Sequence, residues 1–256
     1  MKEQFFRVKV YIILCLLWEA FQYFLFGRGI FSCGLGDMHL FADSAHISDE
    51  GKILEELNTT ESQKHTDSRP NLEILFTPCT SEPPFANTNI GYISISTLLM
   101  KPKSFGTVRL SSKDPRARPR YNFNFLTDPD RADYAALRKG IRLAIRLGEH
   151  MKTLGYPIKP MFFPQDESDE KIDSYIEQHG STNYHYTSTC RMGRLDEERP
   201  GVVDDKLKVH GIERLRVCDA SVFPEIIAGH TMAPTVVVAE KFADILKDEF
   251  GATKSV

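Results

Sequence analysis

The chain is poor in the features that most quickly sort a protein into a class. Its five cysteines (Cys15, Cys33, Cys79, Cys190 and Cys218) are scattered, with no CxxC pair and no regular framework. A disulfide-stapled fold is therefore excluded, and the thiols read as mostly free. Eight histidines and five cysteines show no metal-ligand spacing, so a metal hydrolase is disfavoured and no metal is expected. Charge of one sign is also missing. A net charge of −3 over 256 residues gives no electrostatic footprint for nucleic acid or for an acidic membrane surface. There is no internal repeat. A GxGxxG turn between a strand and a helix is absent too: Gly34-Leu35-Gly36 lacks the third glycine, a preceding strand and a following acidic partner. It reads as a loop.

What is present begins with an apolar start. Lys2, Arg7 and Lys9 precede the run Val10 to Trp18, which Glu19 interrupts before Ala20 to Phe26 continues it. The uninterrupted part is too short to span a bilayer. Two readings stand: a buried helix, with Leu14, Leu17, Trp18, Phe21, Phe24 and Leu25 at helical spacing, or a secretory signal without a small-x-small cleavage site. If the chain is secreted, the sequon Asn58-Thr59-Thr60 is a glycan acceptor.

Composition then divides the chain into four stretches. Residues 1–42 form a helix and entry segment, and 43–70 a polar surface excursion with a short helix near Lys52 to Leu57. Residues 71–183 alternate apolar and polar positions (Leu72, Ile74, Phe76; Ile93, Ile95, Thr97, Leu99; Val108, Leu110; Tyr121, Phe123, Phe125), which predicts several strands with one buried face. Asp128-Pro129 predicts a helix start with Pro at its first position, and Tyr134, Leu137, Ile141, Ile145 and Gly148 share one helical face up to a stop near Gly155-Tyr156-Pro157. A second helix is expected over Asp169–His179, closed by Gly180. This is an α+β fold, an antiparallel sheet with packed helices, and it specifies no chemistry.

Residues 184–256 carry the chemistry. Tyr184-His185 lies in a polar run; Leu215 to Cys218 reads as a short strand ending in Asp219-Ala220-Ser221; and Gly229-His230-Thr231-Met232-Ala233-Pro234 opens a helix through about Glu249. The strand and final helix would complete an α/β domain. Small residues at a strand's C-terminal end and a helix N-terminus are both places where such sheets hold ligands. A pair of histidines suits alcohol oxidation, one imidazole taking the hydroxyl proton and the other positioning the same oxygen. The hydride then needs a cofactor, because side chains cannot accept it. Spacing alone leaves both histidines open as solvated structural residues, and Asp219 open as a turn or capping residue.

Ordered blocks close some of these alternatives. They are Tyr184-His185 before Thr189-Cys190-Arg191-Met192-Gly193, then Gly201-Val202-Val203-Asp204, Val209-His210-Gly211-Ile212, Asp219-Ala220-Ser221, Gly229-His230-Thr231, Ala233-Pro234-Thr235 and Ala239-Glu240-Lys241. Together they resemble the C-terminal half of the glucose–methanol–choline (GMC) oxidoreductase family, with its insect glucose dehydrogenase-like and aryl-alcohol oxidase-like members. Lys101 to Val108 with Asp114-Pro115 looks like that family's substrate-domain strand pair, and Tyr23 to Ser32 like the segment entering it. The resemblance implies a FAD-dependent enzyme acting on the CH–OH group of a small-molecule alcohol. It implies His185 as the catalytic base and His230 as the second active-site residue. Asp219 and Ala220 match positions that contact the FAD pyrophosphate and ribityl region, and Thr231, Met232 and Pro234 the turn facing the flavin edge. The family often has Asn where Met232 stands. It also carries a dinucleotide-binding segment that this sequence lacks, so that half would come from another segment. The alternatives are a catalytically incompetent substrate-domain remnant or a gene-model fragment. Exposed apolar surface on the final strand and helix is expected in either case.

Overall fold

The computed structural model describes residues 2–28, 38–54, 69–77 and 92–251. Gly34-Leu35-Gly36, the sequon at Asn58, Cys33 and Cys79 lie outside them. The chain divides into two compact units, Met1–Leu40 with Leu75–Ser96, and Phe41–Ile74 with Thr97–Val256.

In the first unit, helix α1 (Lys2–Phe26) forms because no glycine or proline interrupts it. It stops at Gly27, whose positive φ of 60° lets its N–H reach the Tyr23 carbonyl at 3.0 Å. The helix is as expected, but its burial is not. Among the described side chains Leu17 is 61% exposed and Phe24 81%. The apolar residues go round the helix instead of forming one stripe, so no single face is available to pack. Only local ring pairs shelter them, such as Trp18 stacked on Phe21 at 5.6 Å. Among the described residues no helix is long and apolar enough to cross a membrane.

The second unit holds the rest. Strands β1 (Met38–Ala42), β2 (Leu72–Thr77) and β3 (Ser94–Leu99) form a sheet in that order, and β1 is a strand where only an entry segment was expected. In β2 the three residues Leu72, Glu73 and Ile74 are all fully buried, so the strand is covered on both faces, not one. Strands β4 (Thr107–Arg109) and β5 (Arg120–Asn122) pair antiparallel, with Val108 opposite Tyr121. Here the one-buried-face expectation fails, since Val108, Leu110, Tyr121, Phe123 and Phe125 are all exposed. The short helix expected near Lys52 also fails over its described part: Ile53 instead bridges to Ile47.

Helix α2 (Ala132–Thr153) begins three residues later than Pro129 would place it. The Asp128 carboxylate sits across the preceding turn and accepts from the backbone N–H of Ala132 at 2.6 Å and of Asp133 at 3.3 Å. Two of the orphan donors at the helix start are thereby satisfied. The buried Asp133 in turn accepts from the N–H groups of Lys103 and Ser104, fastening that loop to the helix. Gly140 lets α2 lie close on the sheet, because a Cβ there would run into Thr97 and Leu72. Helix α3 (Asp169–His179) has the expected bounds and packs Ile172 and Ile176 on Tyr134 of α2. Above that contact Arg138 forks onto Asp173 (Nε–Oδ1 2.7 Å, Nη2–Oδ2 2.5 Å), and Arg142 reaches Asp169 at 2.7 Å.

Residues 184–231 have little regular structure. Leu215 to Cys218, expected as a strand, makes one bridge (Arg216 to Lys208), because no neighbouring strand among the described residues pairs with the rest. A second core gathers there instead: Val203, Leu207, Val222 and Phe223, with Val238 and Phe242 of helix α4 (Met232–Phe250) packed on it.

Candidate functional site

Two backbone connections bring the site together. The N–H groups of Cys190 and Met192 donate to the carbonyls of Ser221 and Val222 at 2.9 and 2.8 Å, so residues 188–192 run beside the 3-10 turn Ala220–Val222. Gly201 then packs against Gly193, where any Cβ would strike the Gly193 carbonyl, and His210 bonds that same carbonyl oxygen at 3.0 Å. On one side of this braid the chain leads back to His185. On the other it leads from the buried Val222 and Phe223 to His230.

The two imidazoles meet with ring centroids 4.9 Å apart and planes at 86°. His185 is partly buried, and Asn183 lies 3.4 Å from its Nδ1. Its basicity is held below that of an ordinary histidine. Partial burial is the main cause and the neighbouring His230 the second, while Glu73 pulls the other way. The ring is therefore neutral near neutral pH, as a proton acceptor must be. His230 is more open, with 45% of its side chain exposed, but its Nε2 lies 3.0 Å from Oε1 of the fully buried Glu73. A carboxylate only accepts, so Nε2 carries the proton and donates, which fixes the ring's orientation.

Glu73 went unnoticed at the sequence level. It stands in β2 between Leu72 and Ile74, where an acidic residue in an alternating strand looks like the solvent face. The one available signal was a carboxylate inside an otherwise apolar run.

The remaining expected residues fall into two groups around the histidines. Asp219 is indeed a cap: its Oδ1 accepts from the Ser221 N–H at 2.8 Å, and the residue is still exposed. Ala220 follows it in the same turn, its carbonyl accepting from Ser188 at 3.4 Å. Thr231 is the N-cap of α4, but its side chain makes no capping bond. The first-turn N–H groups of a 19-residue helix thus point out beside His230, past the exposed Met232 and with Pro234 in that first turn. Uncapped donors at a helix start fit an electron-rich ligand edge.

The model of the GMC oxidoreductase family matches residues 102–239, more than half of the chain. The chain belongs to the GMC oxidoreductase family. Its matched segment contains His185, His230, Asp219, Ala220, Thr231, Met232 and Pro234, while Glu73 lies outside it. Among curated relatives, it is 40% identical over 151 residues to an oxygen-dependent choline dehydrogenase of Chromohalobacter salexigens, covering 58% of this chain and 26% of that protein. It is 36% identical over 197 residues to the dehydrogenase str4 of Strobilurus tenacellus, covering 70% and 31%. The fold resembles that of a formate oxidase from Aspergillus oryzae whose FAD modification was probed by mutation (TM-score 0.66, 26% identity, 90% of this chain and 41% of that one). It also resembles that of a fungal aryl-alcohol oxidase (TM-score 0.54, 32% identity, 71% and 28%). This GMC chain thus spans about a quarter to a third of the length of the curated relatives it matches.

Proposed function

We propose that this chain carries the proton-handling part of a FAD-dependent oxidoreductase acting on the CH–OH group of a small-molecule alcohol. The observation that carries the reading is the edge-to-face meeting of His185 and His230. His185, neutral at working pH, takes the hydroxyl proton of the alcohol. His230 donates to or positions the same oxygen, held in place by Glu73 from the interior. Proton transfer by a positioned imidazole of this kind contributes about 10²- to 10⁴-fold to a rate.

FAD, when bound, supplies the two-electron acceptor that no side chain can provide. The groups in this chain that fit it are the exposed Asp219–Ala220 turn and the uncapped first turn of α4 at Thr231, Met232 and Pro234. The main grip on the dinucleotide, a glycine-rich strand–helix turn, belongs to a segment supplied from elsewhere in the assembly.

The test is spectroscopic. The chain assembled with a dinucleotide-binding half is expected to show bound-flavin absorbance that a primary or secondary alcohol bleaches anaerobically. Flavin that binds tightly yet stays oxidised with every alcohol in a broad panel would contradict the reading.

A further inference from the structure

His185 sits in the least fastened stretch of the site. On its N-terminal side, Thr182 Oγ1 accepts from the Tyr184 N–H at 2.9 Å, and Asn183 lies near the ring. On its C-terminal side, the backbone connection to Ala220 begins only at Ser188. Tyr184 (φ 61°) and Ser188 (φ 67°) both occupy the left-handed region, which is costly for side chains of this size. A loop bent at both ends needs something to hold its middle.

That middle meets the sheet hairpin through one aromatic contact. The Tyr186 ring lies 5.8 Å from that of Phe123, tilted by 34°. Phe123 belongs to a row of nearly parallel rings, with Tyr121 at 6.3 Å and Phe125 at 5.5 Å. The row is rigidly mounted. Tyr121 is in the β4–β5 ladder, Asn124 Nδ2 donates to the Phe105 carbonyl at 3.2 Å, and Ser104 Oγ accepts from the Thr127 N–H at 2.8 Å. Phe123 and Tyr186 both keep about half their surface in water (50% and 53%), so core packing does not account for their meeting. Offset and tilted aromatic pairs at this distance are favourable beyond the area they bury.

We propose that the Phe123–Tyr186 contact is a positioning clamp that ties the His185 loop to the β4–β5 hairpin and keeps the His185 ring against His230. This rests on His185 being the base, as proposed above. Tyr186 and Phe123 are positioning residues; neither touches the reacting atoms. The clamp holds His185 in its half-dry place among the groups that face it, His230 from the start of α4 and Glu73 from β2.

The experiment is a histidine titration followed by NMR of the chain itself, labelled at the imidazole nitrogens. Tyr186→Phe keeps the ring and is expected to leave the His185 midpoint where it is. Tyr186→Leu and Phe123→Leu each release the loop, so the midpoint rises toward that of an ordinary histidine as the ring gains water. The double variant should go no further than either single one, since both break the same contact. His210, bonded to the Gly193 carbonyl, should stay unmoved and reports that the fold persists. If His210 moves in a leucine variant, Phe123→Met and Tyr186→Met replace the pair. An unmoved His185 in the Phe123 variants overturns the clamp. So does a Tyr186→Phe variant that shifts as far as Tyr186→Leu. The readout needs neither flavin nor turnover, so a failed clamp and a failed base are told apart.

Discussion

The helix pair α2–α3 and the segment 184–250 are built on opposite plans. In the pair, nearly every charge has a partner within the chain: Arg138 on Asp173 and Asp169, Arg142 on Asp169, Arg131 on Asp173, Arg146 on Glu149 and Glu167. Its apolar side chains close on one another around Ile172, which is fully buried. In the later segment, α4 has no fully buried residue. Its Val236 and Val237 are 55% and 65% exposed, and the donors of its first turn are not capped by Thr231. The difference separates a scaffold from a site. The scaffold satisfies its own polar groups; the site keeps apolar surface, uncapped donors and two bare imidazoles turned outward. The expected exposed apolar surface on the final helix is therefore present, and Leu215 adds to it at 45%.

That contrast can be broken experimentally at its strong end first. Asp173→Asn removes the charge on which Arg138 forks, and both side chains are mostly sheltered (15% and 20% exposed). A loss of about 2 kcal/mol in denaturant unfolding is expected. The Arg138 guanidinium holds the Asp173 carboxyl below the usual carboxylate range, so the native state binds this proton less readily than the unfolded chain. Its stabilisation is full above about pH 4 and disappears as pH falls through the lowered value. Variant and parent should therefore differ at pH 7 and converge in acid; a gap that persists at pH 2 would place the effect elsewhere.

A smaller effect is expected at the junction of the two plans. Glu73→Gln keeps an oxygen for His230 but removes the negative charge that raises the basicity of His185. The acid limb of the kcat/KM profile, already below the ordinary histidine value of about 6.5, should move to lower pH. The turnover on the plateau should fall by about tenfold as His230 loses its charged anchor. A limb that moves upward would mean that Glu73 does not act on His185 through its charge.

The weakest response belongs to the open surface. Val237→Ser should change stability by no more than about 0.5 kcal/mol and reduce concentration-dependent light scattering. A cost comparable to that of Asp173→Asn would show Val237 to be covered.

Legibility in the sequence followed the same divide. Helix α3 was readable to its ends because its signals are local: acidic residues after Ser168 and a terminal Gly180. Helix α2 started late because its cap, Asp128, works across a turn instead of adjoining the helix. Helix α1 was readable as a helix but not in its exposure, because the spacing that placed six residues on one face ignored the apolar residues between them. At the site, His185 and His230 stood out by residue type and by family resemblance. Their meeting did not, because it depends on the connection of residues 188–192 to Ala220–Val222, a long-range pairing with no periodic trace. Glu73 was invisible for the same reason: its partner lies far along the chain, and its burial comes from the sheet and not from its neighbours in sequence.

The central claim is that His185 is the group that takes the alcohol's proton. Its most direct measurement is the anaerobic rate of flavin reduction by alcohol in the FAD-loaded assembly, with His185→Ala beside the parent. The reading predicts a fall of about 10²- to 10⁴-fold with flavin still bound. An unchanged rate in the alanine variant would contradict it.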